Sequence, residues 1–319
     1  MKKYFLQILV VLLMLGIAWG LFLVGKTEER KTANPENPIE ATVFQAQGDA
    51  TNKNEINSNF YPIRNWEIKD PEISAKSAVV ISFKNQNEEG RVVFQKNADQ
   101  VLPIASLTKL MTAIIAVENF NLDEIIKVSK GSISVIGDEG GLIRGEELKI
   151  KDLLQIMLIE SSNDAATTLA SDNPRITPSE FINLMNSKAK ELELLNTYFI
   201  DSAGLDLKNQ SSVLEMVKIT NYSLKFPIIW DILKMPSATV YSIDNKFVHN
   251  LTTTNKLLGK IPQIIGGKTG FTEEAGGCML TVSNISKDNY LITVILGSTE
   301  REIDMENLLN WAQEAYIWQ

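Results

Sequence analysis

The outer parts of this sequence read as strands and its middle as helices, and that order limits the folds available to it. Ser77-Ala78-Val79-Val80-Ile81-Ser82-Phe83 is a predicted strand, Glu88-Glu89-Gly90 a turn, and Arg91-Val92-Val93-Phe94-Gln95 the returning strand of a hairpin. Strands are predicted again late in the chain, at Ile264-Ile265, Cys278-Met279-Leu280-Thr281-Val282 and Tyr290-Leu291-Ile292-Thr293-Val294-Ile295-Leu296. Ser286-Lys287-Asp288-Asn289 is the turn between the last two. In between, Leu107, Leu110, Met111, Ile114 and Ile115 recur at helical spacing. Leu153, Leu154, Met157 and Leu158 do the same, as do Phe181, Leu184, Met185, Ala189 and Leu192. A helix from about Arg301 to Tyr316 closes the chain. The expectation is an α/β (α+β) fold in which one antiparallel sheet is formed by N- and C-terminal strands, with a helical region inserted. No internal repeats are visible.

The N-terminus has its own character. After Lys2 and Lys3, the run from Tyr4 to Gly25 is apolar except for Gln7. As a helix it would span roughly 33 Å at 1.5 Å per residue, enough to cross a bilayer. Ala18-Trp19-Gly20 offers small residues at a cleavage-like spacing, yet Leu21-Phe22-Leu23-Val24 continues the run beyond it. Residues 1–25 are therefore expected to be a membrane anchor, with a cleaved signal sequence as the alternative. Lys2 and Lys3 favour a cytoplasmic N-terminus, and Lys26, Arg30 and Lys31 on the other flank weaken that bias. Either way the remainder is expected outside the cytoplasm, attached to the cell membrane or secreted. Residues 26–59 are polar, carry Pro35 and Pro38, and are expected to be a flexible linker. Residues 60–319 are expected to be the catalytic domain.

Composition narrows the chemistry. The net charge of −8 argues against nucleic acid as a partner, which would need a basic face. One cysteine, Cys278, allows no internal disulfide, and with one histidine, His249, a zinc site is nearly excluded. No metal or cofactor is expected. A serine enzyme built on this chain needs a base other than histidine unless His249 serves. His249 is expected in a loop or strand end with a structural role, and Cys278 as a buried small residue at the start of a strand.

Three short motifs meet that need, in the order Ser106-Leu-Thr-Lys109, Ser161-Ser162-Asn163 and Lys268-Thr269-Gly270. Residues three apart on a helix share a face, so Lys109 can reach the hydroxyl of Ser106 in the first helical turn. A helix start favours developing negative charge. Lysine acts as a base only when neutral, and burial and a second cation, for which Lys268 is suited, both favour that form. Taken alone, Ser106 would cap a helix while Lys109 snorkels to water. Ser161-Ser162-Asn163 alone would be a helix cap. Beside the first motif, its hydroxyl can pass a proton and its amide can hold a peptide bond. Gly266-Gly267-Lys268-Thr269-Gly270 reads as a strand edge open to ligand approach, where a peptide can add as a strand and Lys268 and Thr269 can hold a terminal carboxylate. A surface hairpin with a solvated lysine is the plain alternative. A phosphate-binding loop is excluded, because Pro262 stands where its first glycine would be.

This ordered triple is the pattern of class A β-lactamases and penicillin-binding proteins. From about Ala75 to Trp311 the chain resembles the serine-type D-alanyl-D-alanine carboxypeptidases, the low-molecular-mass penicillin-binding proteins. Pro103-Ile104-Ala105-Ser106-Leu107-Thr108-Lys109-Leu110-Met111-Thr112, Ser161-Ser162-Asn163-Asp164-Ala165-Ala166, Thr254-Asn255-Lys256-Leu257-Leu258 and Gly267-Lys268-Thr269-Gly270-Phe271-Thr272 carry the resemblance. Met185 to Leu192 and Asn196-Thr197-Tyr198-Phe199 add to it. It implies a β-lactamase/DD-peptidase-like fold and an acyl-enzyme on Ser106, formed on peptidoglycan stem peptides ending in D-Ala-D-Ala and on β-lactams. Lys109 would be the base, Ser161 the relay and Asn163 a substrate-positioning group. Lys268 and Thr269, with Arg301, would bind the substrate carboxylate, and Gly270 would be a further substrate-binding residue. The backbone N–H groups of Ser106 and Phe271 would form the oxyanion hole.

Two departures stand out. Many relatives add a C-terminal β-rich domain and an amphipathic helix, whereas this sequence stops at Gln319, which would move attachment to the N-terminal segment. Glu215 stands where relatives usually have aspartate. The rival functions are a β-lactamase, an esterase or DD-endopeptidase of the same fold, and a penicillin-binding sensor without turnover. Glu193-Leu194-Leu195-Asn196 comes close to a deacylating pair but reads better as a helix end.

Overall fold

The computed structural model describes residues 62–84, 89–135, 141–287 and 289–318. The expected anchor and linker, residue 88 of the first predicted turn and residue 288 of the second lie outside the described residues. Among the described residues, no helix is long and apolar enough to cross a membrane.

The most apolar runs form one five-stranded antiparallel sheet. Its strands are β1 (Ser77–Phe83), β2 (Arg91–Lys96), β3 (Ile264–Thr272), β4 (Gly276–Asn284) and β5 (Tyr290–Ser298), in the order β3-β4-β5-β1-β2. The N-terminal hairpin thus pairs with the last strand, Val79 opposite Val294, and both ends of the domain share one sheet as expected. The three central strands, β1, β4 and β5, read as nearly continuous apolar runs because both faces are covered. Val79, Ile81, Leu280, Val282, Ile292 and Val294 face the helical region. Ala78, Val80, Met279, Leu291 and Ile295 face the closing helix. Successive residues alternate between the two cores, as the period of a strand requires.

Helix α1 (Thr108–Asn119) is buried around most of its circumference, which explains its apolar sequence. It is surrounded by α2 (Ile150–Ile159), α3 (Asn163–Ser171), α4 (Pro178–Glu191) and α5 (Val213–Ser223), and α6 (Pro227–Leu233) packs against α2 and β3. Helix α7 (Arg301–Ala315) covers the other face of the sheet through Met305, Leu308, Trp311 and Ala312. Local signals set the helix starts. Thr177 and Glu180 make a reciprocal capping box ahead of Pro178, and Ser212 caps α5 by accepting from the N–H of Glu215.

Three details depart from the sequence reading. Ser106 is not in the first turn of the α-helix. It occupies a 3₁₀ turn, Ala105–Leu107, that leads into it and is closed by the Leu107 N–H donating to the Ile104 carbonyl. Tyr316 leaves the closing helix to pair with Arg64 in a two-residue bridge that joins the two ends of the domain. His249 is inside a strand, Val248–Thr252, paired with Ser237–Tyr241. It is buried, and its Nε2 lies 3.0 Å from Glu146 Oε2, a partner 103 residues away. This matches the structural role expected of it.

Candidate active site

Three chain segments converge at Ser106. The residue before it, Ala105, has φ +46, a left-handed backbone unusual outside glycine. Ile104 donates its N–H to the Asn209 carbonyl, and Leu102–Pro103 pairs with Gln210–Ser211. From the other side comes the edge strand β3. A Cβ at Gly270 would stand 3.0 Å from the Ser106 nitrogen, so glycine is what lets β3 approach the Ser106 amide.

Lys109 lies one turn on, fully buried, and its Nζ finds three oxygens. Nζ is 2.8 Å from Ser106 Oγ, 2.8 Å from Asn163 Oδ1 and 2.8 Å from the Ala203 carbonyl. A buried ionisable group needs such partners.

Ser161-Ser162-Asn163 divides its work residue by residue. Ser162 caps α3 by accepting from the Ala165 N–H at 3.0 Å. Asn163, the first residue of α3, reaches Lys109. Ser161 sits at φ +67, which turns it away from the helix direction, and its Oγ accepts from Lys268 Nζ at 2.7 Å. The motif thus holds a helix cap at Ser162 and, at Asn163 and Ser161, side chains that meet Lys109 and Lys268. Left-handed backbone at Ala105 and Ser161, on the two hydroxyl-bearing motifs, is the strain that a packed site can hold.

Sheet register explains where Lys268 points. Lys268 pairs with Leu280, Leu280 with Val294, and Val294 with Val79. Those three residues face the helical core, so Lys268 does too and meets Ser161 there. It is 1% exposed and also donates to the Thr269 carbonyl at 2.7 Å. Thr269 has the opposite phase, and its Oγ1 is 2.5 Å from Thr254 Oγ1. β3 is the edge of the sheet, as the sequence reading expected, and Phe271 on it is 62% exposed.

Arg301 opens α7 and lays its side chain against Gly277, where a Cβ would be 3.0 Å from Arg301 Cβ. Its Nη1 donates to the Gly270 carbonyl at 2.9 Å and its Nε to Glu302. The structure therefore brings all nine expected site residues to β3, the Ser106 turn and the start of α3, or into contact with them. Glu193 and Asn196 do not join them. Glu193 follows α4 in left-handed backbone at φ +55, and both residues are exposed. This supports the helix-end reading and leaves no deacylating pair there.

Several partners were not singled out in the sequence. The Ala203 carbonyl lies in the loop after α4, and no side-chain pattern announces a backbone acceptor. Gly204 next to it has φ +89, and a Cβ there would be 1.9 Å from the Ala105 carbonyl oxygen. Glu215 acquires a role: its carboxylate accepts from the Asn196 N–H at 2.9 Å and from Thr197 Oγ1 at 2.5 Å, tying that segment to α5. Cys278 is buried in β4 beneath the Ser106 turn, with Sγ 3.7 Å from the Pro103 carbonyl, and burial pushes its thiol up to about 11.

The sequence model of the peptidase S11 family, described as D-alanyl-D-alanine carboxypeptidase, matches residues 65–300. The chain belongs to this family. The chain is 31% identical over 251 residues to the D-alanyl-D-alanine endopeptidase of Pseudomonas aeruginosa, covering 77% of this chain and 79% of that one. It is 32% identical over 252 residues to the D-alanyl-D-alanine carboxypeptidase DacF of Bacillus subtilis, covering 76% of this chain and 63% of the relative. The solved structure of the Streptomyces K15 DD-transpeptidase superimposes with a TM-score of 0.70 at 26% identity, over 76% of this chain and 98% of that one. The expected fold and family are thus both established, and a D-alanyl-D-alanine carboxypeptidase of this kind is a hydrolase.

Proposed function

We propose that this chain is a serine D-Ala-D-Ala carboxypeptidase that removes the terminal D-alanine from peptidoglycan stem peptides through an ester on Ser106. The observation that carries it is the 2.8 Å approach of the buried Lys109 Nζ to Ser106 Oγ. A neutral amine has two N–H bonds and one lone pair. Asn163 Oδ1 and the Ala203 carbonyl, both acceptors, draw the two N–H bonds. The lone pair is then left facing the Ser106 hydroxyl, which makes Lys109 its base.

In the reaction, Ser106 Oγ attacks the carbonyl of the penultimate D-alanine while its proton passes to Lys109. Lys268 donates to Ser161 Oγ, so the Ser161 hydrogen is directed elsewhere and can protonate the departing amine, while Lys109 passes the proton taken from Ser106 on to Ser161 and is neutral again. The C–N bond breaks, free D-alanine leaves, and water later hydrolyses the ester. Asn163 positions the peptide. Lys268, Thr269 and Arg301, held at β3, form the carboxylate clamp, and the backbone N–H groups of Ser106 and Phe271 the oxyanion hole. The β-lactam ring presents the same carbonyl and carboxylate, so the same serine opens it. The segment Tyr4–Gly25 anchors the protein with this domain outside the cytoplasm.

Incubation of the full-length protein in detergent with a pentapeptide ending in D-Ala-D-Ala should release D-alanine, and no release at any pH contradicts the proposal. A second reading, endopeptidase action on a cross-link, is favoured by the name of the Pseudomonas relative. Cleavage of a cross-linked dimer faster than the free pentapeptide would establish it. Rapid, sustained turnover of nitrocefin instead of a long-lived adduct would indicate a β-lactamase.

A further inference from the structure

The Ala203 carbonyl that takes one N–H of Lys109 belongs to the peptide unit between Ala203 and Gly204. The N–H of that same unit, on Gly204, is gripped by Asp201 Oδ1 at 2.5 Å. In a planar trans peptide the C=O and N–H point in opposite directions. Fixing the Gly204 N–H therefore aims the Ala203 carbonyl at Lys109.

Asp201 holds more than this bond. Its Oδ1 also accepts from Ala203 at 2.7 Å, and its Oδ2 accepts from Asp206 at 2.8 Å and Leu205 at 3.2 Å. Four successive amides thus converge on one carboxylate. The rest of the loop is tied down independently. Thr112 Oγ1 donates to the Ser202 carbonyl, Ser202 Oγ to the Ala166 carbonyl, and Asn209 Oδ1 accepts from Ile200. The backbone before the turn, at Ile200 and Ser202, is therefore placed without the Asp201 carboxylate, and what that carboxylate adds is the placement of the 203–206 amides, the 203–204 peptide among them. An anion on the N–H side also polarises the amide and makes its carbonyl a stronger acceptor.

We propose that Asp201 is a positioning residue for the reaction: by fixing the Ala203–Gly204 peptide it directs one N–H of Lys109 away from Ser106 and so points the lone pair at the serine. It touches neither substrate nor Lys109. The proposal rests on the assignment of Lys109 as base.

The test uses the full-length protein in detergent with benzylpenicillin as probe. For wild type, Asp201→Ala and Asp201→Asn, three quantities are read: the acylation rate constant at saturation, the pre-covalent dissociation constant, and the fraction of chains finally labelled. Asp201→Ala should still label to completion with unchanged pre-covalent affinity, but acylate roughly ten- to a hundredfold more slowly, the cost of a misplaced catalytic group. Asp201→Asn, which keeps one acceptor oxygen for the Gly204 N–H, should be slowed less, by a few-fold. A wild-type rate constant in Asp201→Ala overturns the proposal. So does a loss that lies wholly in affinity or in the labelled fraction, since that is what a merely structural role would give. If Asp201→Ala does not fold, Asp201→Asn decides: a wild-type rate constant overturns the proposal and a selective slowing supports it. A wild-type protein that is not acylated on Ser106 would refute the proposed function itself, an outcome distinct from any of these.

Discussion

Lys109 Nζ and Ser106 Oγ lie 2.8 Å apart, and the same nitrogen reaches Asn163 Oδ1 and the Ala203 carbonyl, acceptors that the fold places independently of the serine. Removing either member of the pair should stop acylation. Ser106→Ala should not be labelled by penicillin, and Lys109→Met should fold, as judged by circular dichroism and thermal melting, yet acylate at least about 10³-fold more slowly. A labelled Ser106→Ala protein would contradict the assignment.

Gly204 sits where a methyl group would strike the Ala105 carbonyl, one residue before the serine. Its φ of +89 also disfavours any side chain. Gly204→Ala should lower stability by roughly 1–3 kcal/mol in a thermal or urea melt. It should also slow acylation in the chains that remain folded, because the displaced backbone is that of the Ser106 turn.

Cys278 lies close to the site but supplies no chemistry to it. Burial pushes its thiol up to about 11, so almost none is thiolate near neutral pH. The native protein at pH 8 should resist a disulfide-exchange reagent and react with one thiol per chain only when unfolded. Cys278→Ala should retain activity within about twofold at the cost of a small cavity.

Lys188 on α4 joins two helices through Glu118 of α1 at 3.1 Å, and it also pairs with Glu191 at 2.7 Å. Burial alone would lower its pKa, but hydrogen bonds to Glu191, Tyr222 and Glu118 outweigh this and hold it above the usual lysine value. A raised folded-state pKa means the contribution is complete below the ordinary value of 10.5 and fades as pH rises through the folded value. Lys188→Met should cost roughly 1 kcal/mol at pH 7, since it removes the cation from Glu118 and Glu191 and leaves Glu118 with the Tyr222 hydroxyl. Melts at successive pH values should show the difference from wild type narrowing above pH 10.5.

What the sequence disclosed follows from range. The strands were legible because two-sided burial makes them almost uninterrupted apolar runs, and α1, α2 and α4 because their apolar residues recur every three or four positions. The three motifs were legible because each packs several functions into three or four consecutive residues. The Ser212-Val213-Leu214-Glu215 cap marks the start of α5 and could have located that helix. Other features were out of reach. Glu146 and His249 are 103 residues apart, and the Ala203 carbonyl meets Lys109 across 94. Neither pairing has a local signature, because register and loop path decide both. The 3₁₀ turn at Ser106 was hidden for the same reason, being imposed by the loop around Gly204 and by the Gly270 edge of β3.

The most direct test is a peptide map of the full-length protein after reaction with benzylpenicillin and acid quench. One penicilloyl group per chain, on the peptide containing Ser106 and absent when Lys109 is replaced by methionine, is the expected result. No adduct, an adduct on another residue, or undiminished labelling without Lys109 would contradict a serine acylated with lysine as its base.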